Sequence, residues 1–129
     1  MLKIPDYRFD GFTDAWEQRR LGEVVKRVSK SVKNSELPTV EYEDVISGEG
    51  RLNKNVFEKV SDKKGIYFKE GDVLFGKLRP YLQNWLLADF EGLAVGDWWV
   101  FQSSDLISPF LFVYIQTSNY QDVANLSTG

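Results

Sequence analysis

What most limits the fold of this chain is the punctuation of residues 39–101, where no apolar run lasts long enough to make a helix. Gly48-Glu49-Gly50, Glu70-Gly71 and Phe90-Glu91-Gly92 break up short apolar stretches at Val40–Tyr42, Val45-Ile46, Val56-Phe57, Gly65–Phe68, Asp72–Phe75 and Trp85–Ala88. A last stretch covers Trp98–Gln102. Short β-branched and aromatic runs closed by glycine turns predict short strands, and strands at this spacing predict a curved mixed sheet or partial barrel. Pro80 has no N–H to give a ladder, so pairing is expected to stop by Leu78.

The flanks read differently. Leu21, Val24, Val25 and Val28 fall at i, i+3, i+4 and i+7 and predict one short amphipathic helical face, followed by a polar loop over Ser29–Pro38. Ser108-Pro109 reads as an N-cap and first helical residue, with Phe110, Leu111, Tyr114 and Ile115 at helical spacing behind it. A second helical stretch is predicted over Tyr120–Leu126. The expected class is α/β, more narrowly a mixed α+β fold: a twisted mixed or antiparallel sheet with flanking helices and a C-terminal helical pair. At 129 residues and 43% hydrophobic the chain can bury one core, so a single domain over 1–129 is expected and wholesale disorder is not.

Chemistry is narrowed by what is missing. With no His and no Cys there is no Ser-His or Cys-His nucleophile pair, no zinc site of the usual kind and no disulfide framework. Catalysis would fall to carboxylates, Lys, Tyr or a bound Mg²⁺, and the residues themselves imply no cofactor. The start of the chain has no apolar run of export length, and the longest uncharged stretch, Leu106–Gln121, is too polar to span a bilayer. A soluble cytoplasmic protein is expected, with no membrane partner.

The net charge of −3 speaks against a nucleic-acid binder until its distribution is read. Residues 51–84 carry Arg51, Lys54, Lys59, Lys63, Lys64, Lys69, Lys77 and Arg79 against four acids. Residues 85–129 carry no cation and hold Asp89, Glu91, Asp97, Asp105 and Asp122. A bipolar field follows, and a local basic surface is what phosphate contact needs. On charge alone a solvated face explains the lysines better.

The densest signal is Gly71–Asn84. A buried strand ends at Gly76 and projects Lys77 and Arg79 on one side, with Tyr81, Gln83 and Asn84 following in one loop. Arg and Lys match guanine O6/N7 or phosphate, and Asn and Gln match adenine N6/N7. Taken by itself, the segment is better explained by a strand ending in a proline turn with solvated charges, since short motifs often arise by chance. Trp98 and Trp99 are adjacent on a predicted strand, so one is expected in the core and the other under a helix or on a stacking surface. Glu41 and Glu43 could share a strand face for a metal, and Asp62-Lys63-Lys64 with Asp6 has the residue types of a Mg²⁺ nuclease. Both are common by chance.

Three stretches taken together are more specific. Phe9–Val24, with Phe9-Asp10-Gly11-Phe12 and Trp16-Glu17 before Leu21-Gly22-Glu23-Val24, resembles the opening of a target recognition domain in the specificity subunits of type I restriction-modification enzymes. Gly71–Asn84 is similar to the mid-domain block of that family, and Phe110–Gly129 to the helices and Ser-Thr-Gly before its closing strands. The resemblance implies a non-catalytic reader of half of a split site in double-stranded DNA, with methyltransferase and restriction subunits supplying the chemistry. It also implies a domain incomplete at its C-terminal end, whose bare strand edges leave self-association open. Lys77, Arg79, Tyr81 and Asn84 are then expected to contact bases in the major groove. Arg51, Lys54, Lys63 and Lys64 are expected on phosphates, and the acids of 85–129 on a face turned from DNA or toward the methyltransferase. Two other classes stay open: a small Mg²⁺ nuclease using Asp6, Asp62 and Lys64, and a peptide- or glycan-binding module built on Trp85 and Trp98 or Trp99.

Overall fold

The computed structural model describes residues 22–52, 62–104 and 106–126. Strands β1 (Lys26–Val28), β2 (Ser31–Val32), β3 (Thr39–Val40), β4 (Val45–Ile46) and β5 (Arg51–Leu52) come first. They are followed by β6 (Gly65–Phe68), β7 (Val73–Gly76), β8 (Trp85–Leu87), β9 (Gly92–Ala94) and β10 (Trp98–Gln102), then by helices α1 (Ser108–Thr117) and α2 (Tyr120–Ala124). One sheet has the order β1-β10-β7-β8 and is antiparallel throughout. A second has the order β2-β6-β9-β3, with β3 parallel to β9, and β4 and β5 form a separate pair.

The first sheet is the middle layer. Its strands alternate with period two, as pleated strands must. Val73 and Phe75 of β7, Trp85 of β8 and Phe101 of β10 pack with Leu111, Tyr114, Ile115 and Val123 of the helices. Leu74, Leu86, Trp98 and Val100 point the other way, into a second core with Val40, Phe68 and Ala94. A sheet covered on both faces needs apolar residues at every position, which is why Val73-Leu74-Phe75 reads as a continuous run. The result is a mixed α+β fold with an open twisted sheet pair and a C-terminal helical pair.

Several local expectations are corrected. Leu21 itself lies outside the described residues, and the helical face expected from there to Val28 is not formed: residues 22–24 are helical, but Lys26–Val28 pairs with β10 as an edge strand. Val25 joins the helix-side core and Val28 packs against the other, so the spacing that mimics a helix serves two faces of a sheet. The polar stretch after it contains β2, and Gly92, expected in a turn, opens β9. A Cβ at Gly92 would stand 2.7 Å from the Pro38 carbonyl oxygen and 2.9 Å from the Phe68 ring, so glycine here permits close packing inside a strand. Ser108 is the first helical residue and not the cap, which is Ile107; its buried hydroxyl is 2.9 Å from that of Ser103. The expected Val56-Phe57 strand lies outside the described residues.

Asp72 closes the turn into β7 and is buried. Its Oδ2 accepts the Lys69 N–H at 3.0 Å, while Oδ1 has no partner. Burial pushes the carboxyl above its usual 3.8, with the Lys69 N–H opposing. The folded state therefore prefers the protonated form, and this contribution is present below the unfolded pKa and lost as pH rises through the folded one. Relative to Asp72→Asn, the native chain should lose stability from about pH 4 toward neutrality, a difference that urea denaturation at several pH values will measure.

Candidate nucleic-acid interface

β7 ends at Gly76, a position where no larger residue fits. A Cβ would stand 2.9 Å from Asn84 Cβ and 3.0 Å from Tyr42 Cε1, and the Gly76 N–H donates to the Asn84 carbonyl at 2.7 Å. The chain then leaves as a turn, residues 77–83, around a short 3-10 segment, Pro80–Leu82. Arg79 and Gln83 bracket it in left-handed conformations, with φ of 53° and 56°. Non-glycine residues rarely adopt that region, so surrounding contacts must hold the turn in shape.

Those contacts are visible. The Lys77 N–H donates to the Asp97 carbonyl at 3.0 Å, and the Gly48 N–H donates to the Gln83 carbonyl at 2.9 Å. The Ser47 hydroxyl donates to the Leu82 carbonyl. Tyr42, on a 3-10 turn, accepts the Leu78 N–H on its hydroxyl at 3.0 Å and donates to the Asp97 carbonyl. Burial pushes the Tyr42 hydroxyl above its usual 10.0, so it remains protonated and able to donate across the neutral range. Its ring meets Trp98 edge-on at 4.9 Å, tying the turn to the core. A polar loop is thus fastened at both ends and across its middle.

On this platform Lys77, Arg79 and Tyr81 are exposed, Tyr81 at 75%. Among the described residues nothing forms an ion pair with Lys77 or Arg79. Asn84 is different: it is 8% exposed and packs beneath Gly76, so it supports the turn from inside and does not present its amide to a groove.

The phosphate candidates divide. Lys64 and Lys77 come together with Arg27, Ser29, Ser31 and Trp99 around a groove of about 340 Å³, and none of the described residues in its wall is a carboxylate. Arg51 is instead engaged by Glu49 at 2.8 Å. Lys63 is engaged by Glu41 at 2.8 Å, and that hydrogen bond pushes its ammonium above the usual 10.5. Both cations are thus partly neutralised by a neighbouring carboxylate, although their side chains stay 68% and 62% exposed. Lys54 lies outside the described residues. Arg27 is a groove residue that the sequence does not single out. It sits over the Trp99 ring at 5.3 Å, a cation–π arrangement that fixes the guanidinium at the groove edge. Only reading Lys26-Arg27-Val28 as a strand would have placed it there.

The tryptophans settle by alternation. Trp98 is 1% exposed, with its indole N–H on the Val95 carbonyl at 3.1 Å. Trp99, on the opposite face, stacks on Tyr120 of α2 at 5.3 Å and on Phe75 at 5.8 Å. Neither that pair nor Trp85, 6% exposed, forms an open sugar-binding face. Glu41 and Glu43 belong to a 3-10 turn and its cap and not to a strand face. Among the described residues no group of three acids that could hold a metal occurs, and Asp6 lies outside them. The acids of 85–129 do not all turn away: Glu91 accepts the Tyr67 hydroxyl, but Asp97 stands at the foot of the turn. No helix among the described residues is long and apolar enough to cross a membrane.

No protein-family model matches this chain, and no curated protein matches it. Solved structures do. The chain is similar to one from a study of complex assembly and conformational transition in the type I R-M system, with a TM-score of 0.56 and 19% identity, over 74% of this chain and 28% of that one. It is also similar to the HsdS subunit from Thermoanaerobacter tengcongensis, with a TM-score of 0.50 and 21% identity over the same shares. The likeness is one of fold, and the chain spans about 28% of the length of these neighbours.

Proposed function

We propose that this chain is a half-site DNA-recognition domain of a type I restriction-modification specificity subunit. One observation carries the reading: a turn held rigid from three sides displays Lys77, Arg79 and Tyr81 outward, beside a groove edged by Lys64 and Arg27. Sites on stiff elements hold their geometry, and phosphate contacts set register while base contacts specify. In this reading Arg79 and Tyr81 meet base edges, Lys77 meets either, and Lys64 and Arg27 meet phosphates. Partner methyltransferase and restriction subunits do the bond-making, and the domain itself is not an enzyme. The expected place of work is the cytoplasm. β1 and β8, the outer strands of the first sheet, are the edges through which a second copy would associate.

Salt tests the electrostatic half of this. With the two or three phosphates that Lys64, Arg27 and Lys77 would engage, the logarithm of the duplex association constant should fall against log[salt] with a slope of about −1.8 to −2.7. A slope near zero overturns the reading.

A further inference from the structure

Behind the recognition turn lies a second cavity, of about 260 Å³, between Pro80–Gln83 and the end of α1. Four aromatic residues, Phe75, Tyr81, Trp85 and Tyr120, line it, together with Gln116 and with Gln83, whose amide oxygen lies beside Gly48. None of the described residues lining it carries a charge, so it is not made for a phosphate or a metal ion. Two of the rings are open to solvent, Tyr81 at 75% and Tyr120 at 43%. The Gln116 amide N–H donates to the Phe112 carbonyl at 3.1 Å, which leaves its side-chain oxygen able to accept from a ligand. Trp85, in the same wall, has a buried indole N–H without a partner.

We propose that this cavity receives one unstacked nucleobase from the bound DNA, an inference that rests on the recognition reading above. The chemistry of the wall suits a nucleobase. Flat aromatic walls stack on any base, and amides complement the donor and acceptor pattern of base edges. The position matches as well, because Tyr81 follows Arg79 by two residues in the same turn, so a duplex held there lies at the cavity mouth. Drawing a base from the stack costs free energy, least where its pairing is already lost, and stacking in the cavity offsets it.

The test uses the chain itself and a duplex it retains from a randomised pool at low salt, remade with an abasic site opposite each position in turn. At one position, loss of the partner base should tighten binding about tenfold. The gain should vanish in Tyr81→Ala and Tyr120→Ala and persist in Tyr120→Phe, which keeps the ring and its stacking on Trp99. Binding with no such position, as expected if a partner protein's side chain fills the cavity, overturns this proposal alone. A gain that survives Tyr120→Ala overturns it too. Failure to retain any duplex overturns the recognition reading with it.

Discussion

Replacing both Lys77 and Arg79 by Glu is expected to lower duplex affinity by on the order of 10²-fold or more while leaving the domain folded. Both side chains are exposed and no ion pair among the described residues engages them, so their loss removes nothing from the core, and surface changes of this kind usually stay within about 0.5 kcal/mol of stability. The effect on DNA is larger than that of removing two cations, because each carboxylate introduced also repels phosphate. Arg79 alone, if it pairs with a base, contributes about 1–3 kcal/mol at that position. Fluorescence anisotropy with a labelled duplex and urea denaturation of the same variant separate the two quantities. Unchanged binding would remove the turn from the interface.

Trp98→Ala should act through the fold. Trp98 is 1% exposed in the core between the two sheets, meets Tyr42 edge-on at 4.9 Å, and bonds the Val95 carbonyl through its indole N–H. Truncating a buried Trp costs about 3–5 kcal/mol, a large share of the stability of a domain this size. Because Tyr42 braces the 77–83 turn and leans on Trp98, any DNA binding should fail together with folding. Trp99→Ala should cost less, since Trp99 is only partly buried between Arg27 and Tyr120. Thermal melts of the two variants will rank them.

The sheet residues were legible where both faces are buried. Val73-Leu74-Phe75 and Trp98–Phe101 are uninterrupted apolar or aromatic runs, and the structure places strands on them. Ser31–Val32 was not legible, because a two-residue edge strand has no period of its own and is fixed by its partner, β6. Gly92–Ala94 was hidden by a glycine that usually marks a turn and here makes room for Pro38 and Phe68. Around the turn, the exposure of Lys77, Arg79 and Tyr81 was legible because strand and turn chemistry fix where a short loop points. Asn84 could not be told from them, since its burial depends on the glycine it packs under. Arg51 and Lys63 looked like free cations because no short-range pattern assigns Glu49 and Glu41, the carboxylates that engage them. Arg27 reaches the groove only through the pairing of β1 with β10, a long-range contact that composition does not announce.

If the turn after Gly76 reads base sequence, its imprint belongs in the set of duplexes the protein selects. Selection from a randomised pool with the native chain and with Arg79→Ala, followed by comparison of the enriched sequences, exposes that imprint. The native chain should enrich a short half-site, and Arg79→Ala should enrich the same site with preference lost at one base pair. Enrichment of no sequence by the native chain, or an identical site from both proteins, would show that the turn does not read DNA.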